Sequence, residues 1–158
     1  MIIDVFVAST SRYKKYGSIS YPDQAEDLSG KLIIDEVQTR GHEWRYQLLM
    51  DGIDPIRKAV RNSNADCIII CGGTGLTKLD LTLEAVEPLF EKKLPGFGEL
   101  FRLRSLEEVG TRAMLTRASA GITQGKPVFC LPGSPNAASL GTELILAELN
   151  HIIEHIRE

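Results

Sequence analysis

Three short apolar runs rich in β-branched residues, Ile2 to Val7, Cys67 to Cys71 and Pro127 to Leu131, each lead into a cluster of Gly, Ser, Thr or Pro. A run that is apolar at nearly every position, not at every second one, has to be buried on both faces, as strands inside a parallel sheet are. A fourth segment, Glu43 to Met50, alternates Trp44, Tyr46 and Leu48 with Glu43, Arg45 and Gln47 before an Asp51-Gly52 turn. That pattern predicts a half-exposed strand nearer a sheet edge.

Helical spacing fills the gaps between these runs. Ser29 to Arg40 carries Leu32, Ile33, Glu36 and Val37, with Gly41 where a C-cap falls. Asp54-Pro55 opens a second helix with Pro55 at its first position and Ile56, Ala59 and Val60 on one face. Leu81 to Phe90 and Gly96 to Ser105 read as a third and a fourth. The last helix is the clearest: Ser134 caps it, Pro135 takes its first position, and Leu140, Leu144, Ile145, Leu149, Ile152, Ile153 and Ile156 recur at helical intervals. Strands alternating with helices predict an α/β fold, a three-layer Rossmann-like open sheet, mostly parallel, with helices on both faces. Arg12 to Asp27 reads as a long irregular connection, of the kind that is mobile or functional.

At 158 residues, 43% hydrophobic and 25% charged, the chain has the size and mix of one domain, 1–158, with a sizeable core. A formal net charge of -3 leaves no broad basic surface for nucleic acid, so any anion site must be local. No stretch approaches the roughly 18 apolar residues of a membrane span. The start lacks a basic n-region and a cleavage site, and the expected location is cytoplasmic. Cys67, Cys71 and Cys130 sit in apolar runs and read as reduced core thiols. Cys67 and Cys71 have no further ligands at local spacing, His42, His151 and His155 included, which argues against a metal-thiolate site.

Ligands of an open parallel sheet settle outside the carboxyl ends of the strands. There the chain places Gly72-Gly73-Thr74-Gly75-Leu76-Thr77, a loop whose glycines let backbone N–H groups approach an anion. It matches neither the Walker spacing nor the dinucleotide Gly-x-Gly-x-x-Gly pattern, and Ala8-Ser9-Thr10-Ser11 after the first strand is no nicotinamide fingerprint either. A second loop, Pro132-Gly133-Ser134-Pro135-Asn136-Ala137, puts the Ser134 hydroxyl and a helix N-terminus on the same rim. Asp51 and Asp80 follow the second and third strands. Carboxylates there suit a hydrated Mg²⁺ shared with phosphate oxygens, while an Asp-Gly turn and a helix cap are the plain structural roles open to each.

The string Gly72 to Thr77, then Asp80 and Glu84-Ala85-Val86-Glu87-Pro88-Leu89-Phe90, resembles the signature of the molybdenum cofactor proteins MoaB and MogA. Gly96-Phe97-Gly98-Glu99-Leu100-Phe101-Arg102, Gly110-Thr111-Arg112-Ala113-Met114-Leu115, Arg117, Ala120-Gly121 and Pro132 to Ala137 continue the match in order. It is dense from Asp66 onward; before that only Ser29-Gly30-Lys31-Leu32-Ile33 matches strongly. The resemblance implies Mg²⁺-dependent transfer of AMP from ATP to the terminal phosphate of molybdopterin, with Asp51 and Asp80 as the catalytic, metal-holding pair. It implies substrate binding by Ser9, Ser11, Gly72, Gly73, Thr74, Gly75, Thr77, Gly133, Ser134 and Asn136. It also implies a homo-trimer or homo-hexamer, with Phe97, Leu100, Phe101, Leu103 and Leu106 as candidate contacts.

The chain departs from that pattern in places. It has Ser9-Thr10-Ser11-Arg12 where the family often carries an acid at the second position, and Leu79-Asp80 where Arg-Asp is usual. Loss of that guanidinium weakens a polyphosphate site unless Lys78 or Arg12 replaces it. Lys14 to Glu26 is longer than the compact family versions. These differences bear on activity and not on fold, and the alternative they leave is a carrier that binds molybdopterin without adenylylating it.

Overall fold

The computed structural model describes residues 1–158. Its strands are β1 (Ile2–Ala8), β2 (Glu43–Leu49), β3 (Cys67–Cys71), β4 (Lys92–Lys93), β5 (Ser119–Thr123) and β6 (Lys126–Leu131). They form one sheet in the order β2-β1-β3-β6-β5-β4. The first four are parallel, with Val5 opposite both Tyr46 and Ile69, and Ile70 opposite Cys130. β1, β3 and β6 are buried almost throughout and lie inside, whereas the alternating β2 forms an edge.

Two hydrophobic clusters separate by the period-2 rule of strands. Ile3, Val5 and Val7 face one side with Ile69, Phe129 and Leu131; Phe6, Ile68, Ile70, Val128 and Cys130 face the other. The helices are α1 (Thr10–Tyr16), α2 (Leu28–Thr39), α3 (Ile53–Asn62), α4 (Thr82–Val86), α5 (Pro95–Val109) and α6 (Pro135–Arg157). α2 and α6 cover the first face through Ile33, Val37, Ile145 and Leu149, while α3 and α4 cover the second through Ile56, Val60, Leu83 and Val86. The expected three-layer, mostly parallel α/β architecture is the one found. No helix is long and apolar enough to cross a membrane.

The far edge differs from the sequence expectation. Ser119–Thr123 turns back at Gln124-Gly125 and pairs antiparallel with β6, and β4 adds two residues antiparallel to β5. Gln124 and Gly125 both take positive φ, 52° and 70°, which a tight hairpin turn requires. Helix α3 starts at Ile53, so Pro55 stands at its third position and not its first. The predicted Leu81 to Phe90 helix is α only over Thr82–Val86 and finishes as a 3-10 turn, Glu87–Leu89, because Pro88 lacks the N–H that would continue it. α5 runs on to Val109, past the expected Ser105. The connection from Arg12 to Asp27 is partly regular, holding most of α1 and a 3-10 turn at Pro22–Ala25.

Candidate active site

Four parallel strands deliver their carboxyl ends to one rim, and the loops after β1, β3 and β6 enclose a cleft of about 420 Å³. Of the residues singled out from the sequence, Ser9, Gly72, Gly73, Thr74, Gly75, Asp80 and Gly133 line it. A groove of about 540 Å³ along the free edge of β2 is larger but chemically poorer. Its buried carboxylate, Asp4, is already occupied by Arg45 at 2.6 Å and Ser63 at 2.5 Å.

The Gly-rich loop takes its shape from groups remote in sequence. Gly72 and Gly73 have φ of 97° and 68°, and a Cβ on Gly72 would stand 2.5 Å from the Ala8 carbonyl oxygen, while one on Gly73 would collide with Thr82 Oγ1. Four consecutive carbonyls are then tied back. Thr82 Oγ1 donates to Gly72 O at 2.8 Å and Thr82 N to Gly73 O at 2.9 Å. Arg117 Nε donates to Thr74 O at 2.9 Å and its Nη2 to Gly75 O at 2.7 Å. Gly72 N donates to Leu131 O at 2.9 Å, whereas the N–H groups of Gly73, Thr74 and Gly75 donate to nothing within the chain. Successive free N–H groups held by a braced backbone form an anion-binding concavity.

Both aspartates border this loop. Asp51 Oδ2 accepts from Thr10 N at 2.9 Å and Thr10 Oγ1 at 2.7 Å, which pins the start of α1. Its Oδ1 lies 3.2 Å from where a Cβ of Gly73 would be. Asp80 Oδ2 accepts from Thr77 N at 2.9 Å and Thr77 Oγ1 at 2.7 Å, and it lies 2.6 Å from a Cβ position on Gly75. Oδ1 of each carboxylate takes no hydrogen bond. The donor types suit a hard cation: each aspartate keeps one free carboxylate oxygen, Asp80 within the cleft lining and Asp51 outside it beside Gly73, with no cluster of three or more Asp, Glu, His or Cys that could hold a metal by itself. Mg²⁺ fits such a site, since it keeps its waters and completes its shell with substrate phosphate.

Thr10 is the residue standing where an acid is common. With its hydroxyl 2.7 Å from Asp51, a carboxylate in its place would repel the one it now clasps.

A probable molybdopterin binding domain, as its family model is described, matches residues 5–151. The chain belongs to that family. Its membership places the chain in molybdenum cofactor biosynthesis. The molybdopterin adenylyltransferase of Pyrococcus furiosus is 43% identical over 157 residues, covering 91% of this chain and 92% of the relative. The molybdenum cofactor biosynthesis protein B of Staphylococcus aureus is 52% identical over 138 residues, 82% of each chain. The crystal structure of the tungsten cofactor synthesizing protein MoaB from Pyrococcus furiosus superposes with a TM-score of 0.83 at 41% identity, covering 99% of this chain and 97% of that one.

Other expected residues of this molybdopterin-binding domain stand off the cleft wall. Thr77 is spent on Asp80, and the Ser134 hydroxyl accepts from Ala137 N at 3.2 Å, capping α6. Asn136 and Ser11 are exposed, Ser11 with its Oγ 3.4 Å from Ser9 Oγ. Arg12, one of the two cations expected to replace the guanidinium missing at position 79, lines the cleft; Asp27 and Ser29 line it without having been expected as ligands, and so does Arg117, which entered only through the family match. Ser29 Oγ donates to Gly133 O at 2.8 Å and latches α2 to the loop after β6. Asp27 caps α2 at Gly30 N and accepts the Tyr46 hydroxyl at 2.6 Å. Burial, then that bond to Asp27, raises the Tyr46 hydroxyl well above its ordinary value, so it remains a donor. An Asp just ahead of an apolar helical pattern is a cap signal that could have found Asp27. Cys71 also borders the cleft, but burial pushes its thiol up to about 12, which removes it as a nucleophile near neutral pH.

Proposed function

We propose that this chain transfers AMP from ATP to the terminal phosphate of molybdopterin in a Mg²⁺-dependent reaction that releases pyrophosphate. The observation that carries the reading is the braced Gly72 to Gly75 loop, whose three free N–H groups lie beside two carboxylates that each keep one oxygen open. The names of the relatives agree with it. In the reaction a molybdopterin phosphate oxygen bonds to the α-phosphorus of ATP, and the bond from that phosphorus to the β-phosphate bridging oxygen breaks. Asp51 and Asp80 hold the ion; bound there, Mg²⁺ neutralises charge on the phosphates.

The residues of the chain supply position and electrostatics. The N–H groups of Gly73, Thr74 and Gly75 hold phosphate oxygens, and Arg117 keeps those groups aimed by holding the loop carbonyls. Thr77 and Thr10 fix the two carboxylates so that the unbonded oxygens face the ligand. Ser9 on one side and Gly133 on the other flank the substrate, while Ser11, Ser134 and Asn136 stand outside the cleft lining. Arg12 lines the cleft and supplies the guanidinium missing at position 79. Residues 1–158 work as one molybdopterin-binding domain, placed in the cytoplasm where ATP and Mg²⁺ are supplied.

The same reading assigns self-association to α5. Of its candidate contacts, Phe101 is buried and Phe97 packs against Phe129 at 5.1 Å between ring centroids, so both belong to the core. Leu100, Leu103 and Leu106 are 55%, 60% and 51% exposed and follow one another at three-residue spacing, an apolar ridge suited to contacts in a homo-trimer or homo-hexamer. Light scattering on Leu103→Arg should then report a smaller particle than wild type.

The deciding assay measures pyrophosphate released from ATP and Mg²⁺ with and without molybdopterin, for wild type and Asp80→Asn. Release that requires molybdopterin and collapses in the variant supports the transferase. Retained molybdopterin binding with no release would leave a carrier.

A further inference from the structure

The far end of α6 carries a pair of imidazoles that the cleft does not use. His151 and His155 are four residues apart on one helix face, with Nε2 atoms 2.9 Å apart and ring centroids at 4.6 Å. Each ring has a carboxylate on its other side: Glu148 Oε2 is 3.5 Å from His151 Nδ1, and Glu158 Oε2 is 3.6 Å from His155 Nδ1. A carboxylate beside Nδ1 favours a proton on Nδ1 and leaves the Nε2 lone pair free. The two Nε2 atoms are within hydrogen-bond distance when one ring carries its proton on Nε2. With both protons on Nδ1, the two Nε2 atoms are close enough to share one cation lying to the side of the line that joins them.

We propose that His151 and His155 form a two-imidazole chelate for a divalent transition ion of the copper(II) or nickel(II) type. Geometry selects the class. Two ligands at right angles on a tetragonal ion, with bonds of about 2.0 Å, are separated by about 2.8 Å, close to the spacing found. Tetrahedral zinc with similar bonds would ask for about 3.3 Å, so zinc binds with some opening of the pair. The rings border a cleft of about 540 Å³ with Glu91, Lys92, Lys93, Ile152 and Ile156, and both side chains are about two-thirds exposed, which leaves the remaining positions to water. Glu148 and Glu158, at Nδ1 of the two rings, orient them and add negative charge behind them. Nitrogen donors separate this site from the oxygen-only pair at Asp51 and Asp80, which favours magnesium. About 25 Å of helix lies between Ser134 at the cleft rim and His151, so the two sites do not share ligands.

The test titrates nickel(II) into the whole chain in the presence of millimolar Mg²⁺, with His151→Gln, His155→Gln and, as a control, His42→Gln. Copper(II) electron paramagnetic resonance then counts the bound nitrogens. One ion per chain, at least tenfold weaker binding in either pair variant, no change for His42→Gln and a two-nitrogen copper spectrum are the expected results. Both histidines are exposed at the end of a helix, so the variants should fold, which circular dichroism verifies. Equal nickel affinity in wild type and both pair variants, or a copper spectrum with fewer than two nitrogens, would overturn the proposal.

Discussion

The loops after β3 and β6 leave neighbouring strands at the same end of the sheet, and they are held in opposite ways. The Pro132 to Ala137 turn is mainly local: Ser134 caps its own helix three residues on, and from a distance only Ser29 and the Cys71 thiol reach it, at the Gly133 and Pro132 carbonyls. The Gly72 to Thr77 loop is held from outside, by Thr82 and by Arg117, more than forty residues later. A self-capped turn spends its polar groups on itself. A loop braced through its carbonyls keeps N–H groups free for a ligand, which is why the second loop carries the proposed chemistry.

Matched glycine substitutions should give the largest contrast. Gly73→Ala combines positive φ with a collision against Thr82 and should destabilise by about 2–3 kcal/mol in denaturant melts. Gly133→Ala meets only the Gly72 Cα at 3.3 Å, and a loss below about 1 kcal/mol is expected. Equal losses would erase the distinction between the loops.

Arg117→Met keeps most of the side-chain volume and removes the carbonyl brace. Adenylyl-transfer kcat/KM should fall by about 10–100-fold, the penalty for misplacing a ligand by about an ångström. Ser134→Ala sharpens the comparison from the other side: loss of the cap should cost about 1 kcal/mol of stability with kcat/KM within about twofold of wild type. If Ser134→Ala lost more activity than Arg117→Met, the roles assigned to the loops would be reversed.

The smallest effect is the acid dependence of the brace. Arg117 Nη1 donates to Glu84 at 2.7 Å and this bond holds the Glu84 carboxyl below its ordinary value. A lowered folded-state value contributes stability that is fully present above the unfolded value and is lost as pH falls through the folded one. Melting temperatures of wild type and Glu84→Gln should therefore differ slightly near pH 7 and converge below about pH 4. Glu84 is partly exposed and the pair is screened, which keeps the difference small.

Much of the fold was legible because burial leaves periodic marks. β3 spans Cys67–Cys71 as the apolar run predicted, and α6 begins at Pro135 behind its Ser134 cap. β5 was not legible: Ser119-Ala120-Gly121-Ile122-Thr123 is short and carries small residues, because Phe90 packs where a side chain on Gly121 would stand. α1 has no buried residue to give it a period and is fixed by Asp51, forty-one positions away. In the site, Asp51, Asp80 and the glycines could be picked out by residue type and by their place after strands. Thr77 and Ser134 could be picked out too, yet their hydroxyls are used within the chain. The i, i+4 spacing of His151 and His155 was visible in the sequence, whereas the 2.9 Å approach of their rings depends on rotamers.

The sequence by itself determined the alternation of buried strands and amphipathic helices, the rim on which the glycines and aspartates fall, and the family. These follow from short-range periodicity and from residue types whose backbone freedom or charge is intrinsic. Only the tertiary structure decided which polar groups are spent inside the chain and which stay free. A hydrogen bond such as Arg117 to Thr74 or Ser29 to Gly133 joins positions 43 and 104 residues apart, and its existence depends on how strands stack side by side, which no local pattern encodes.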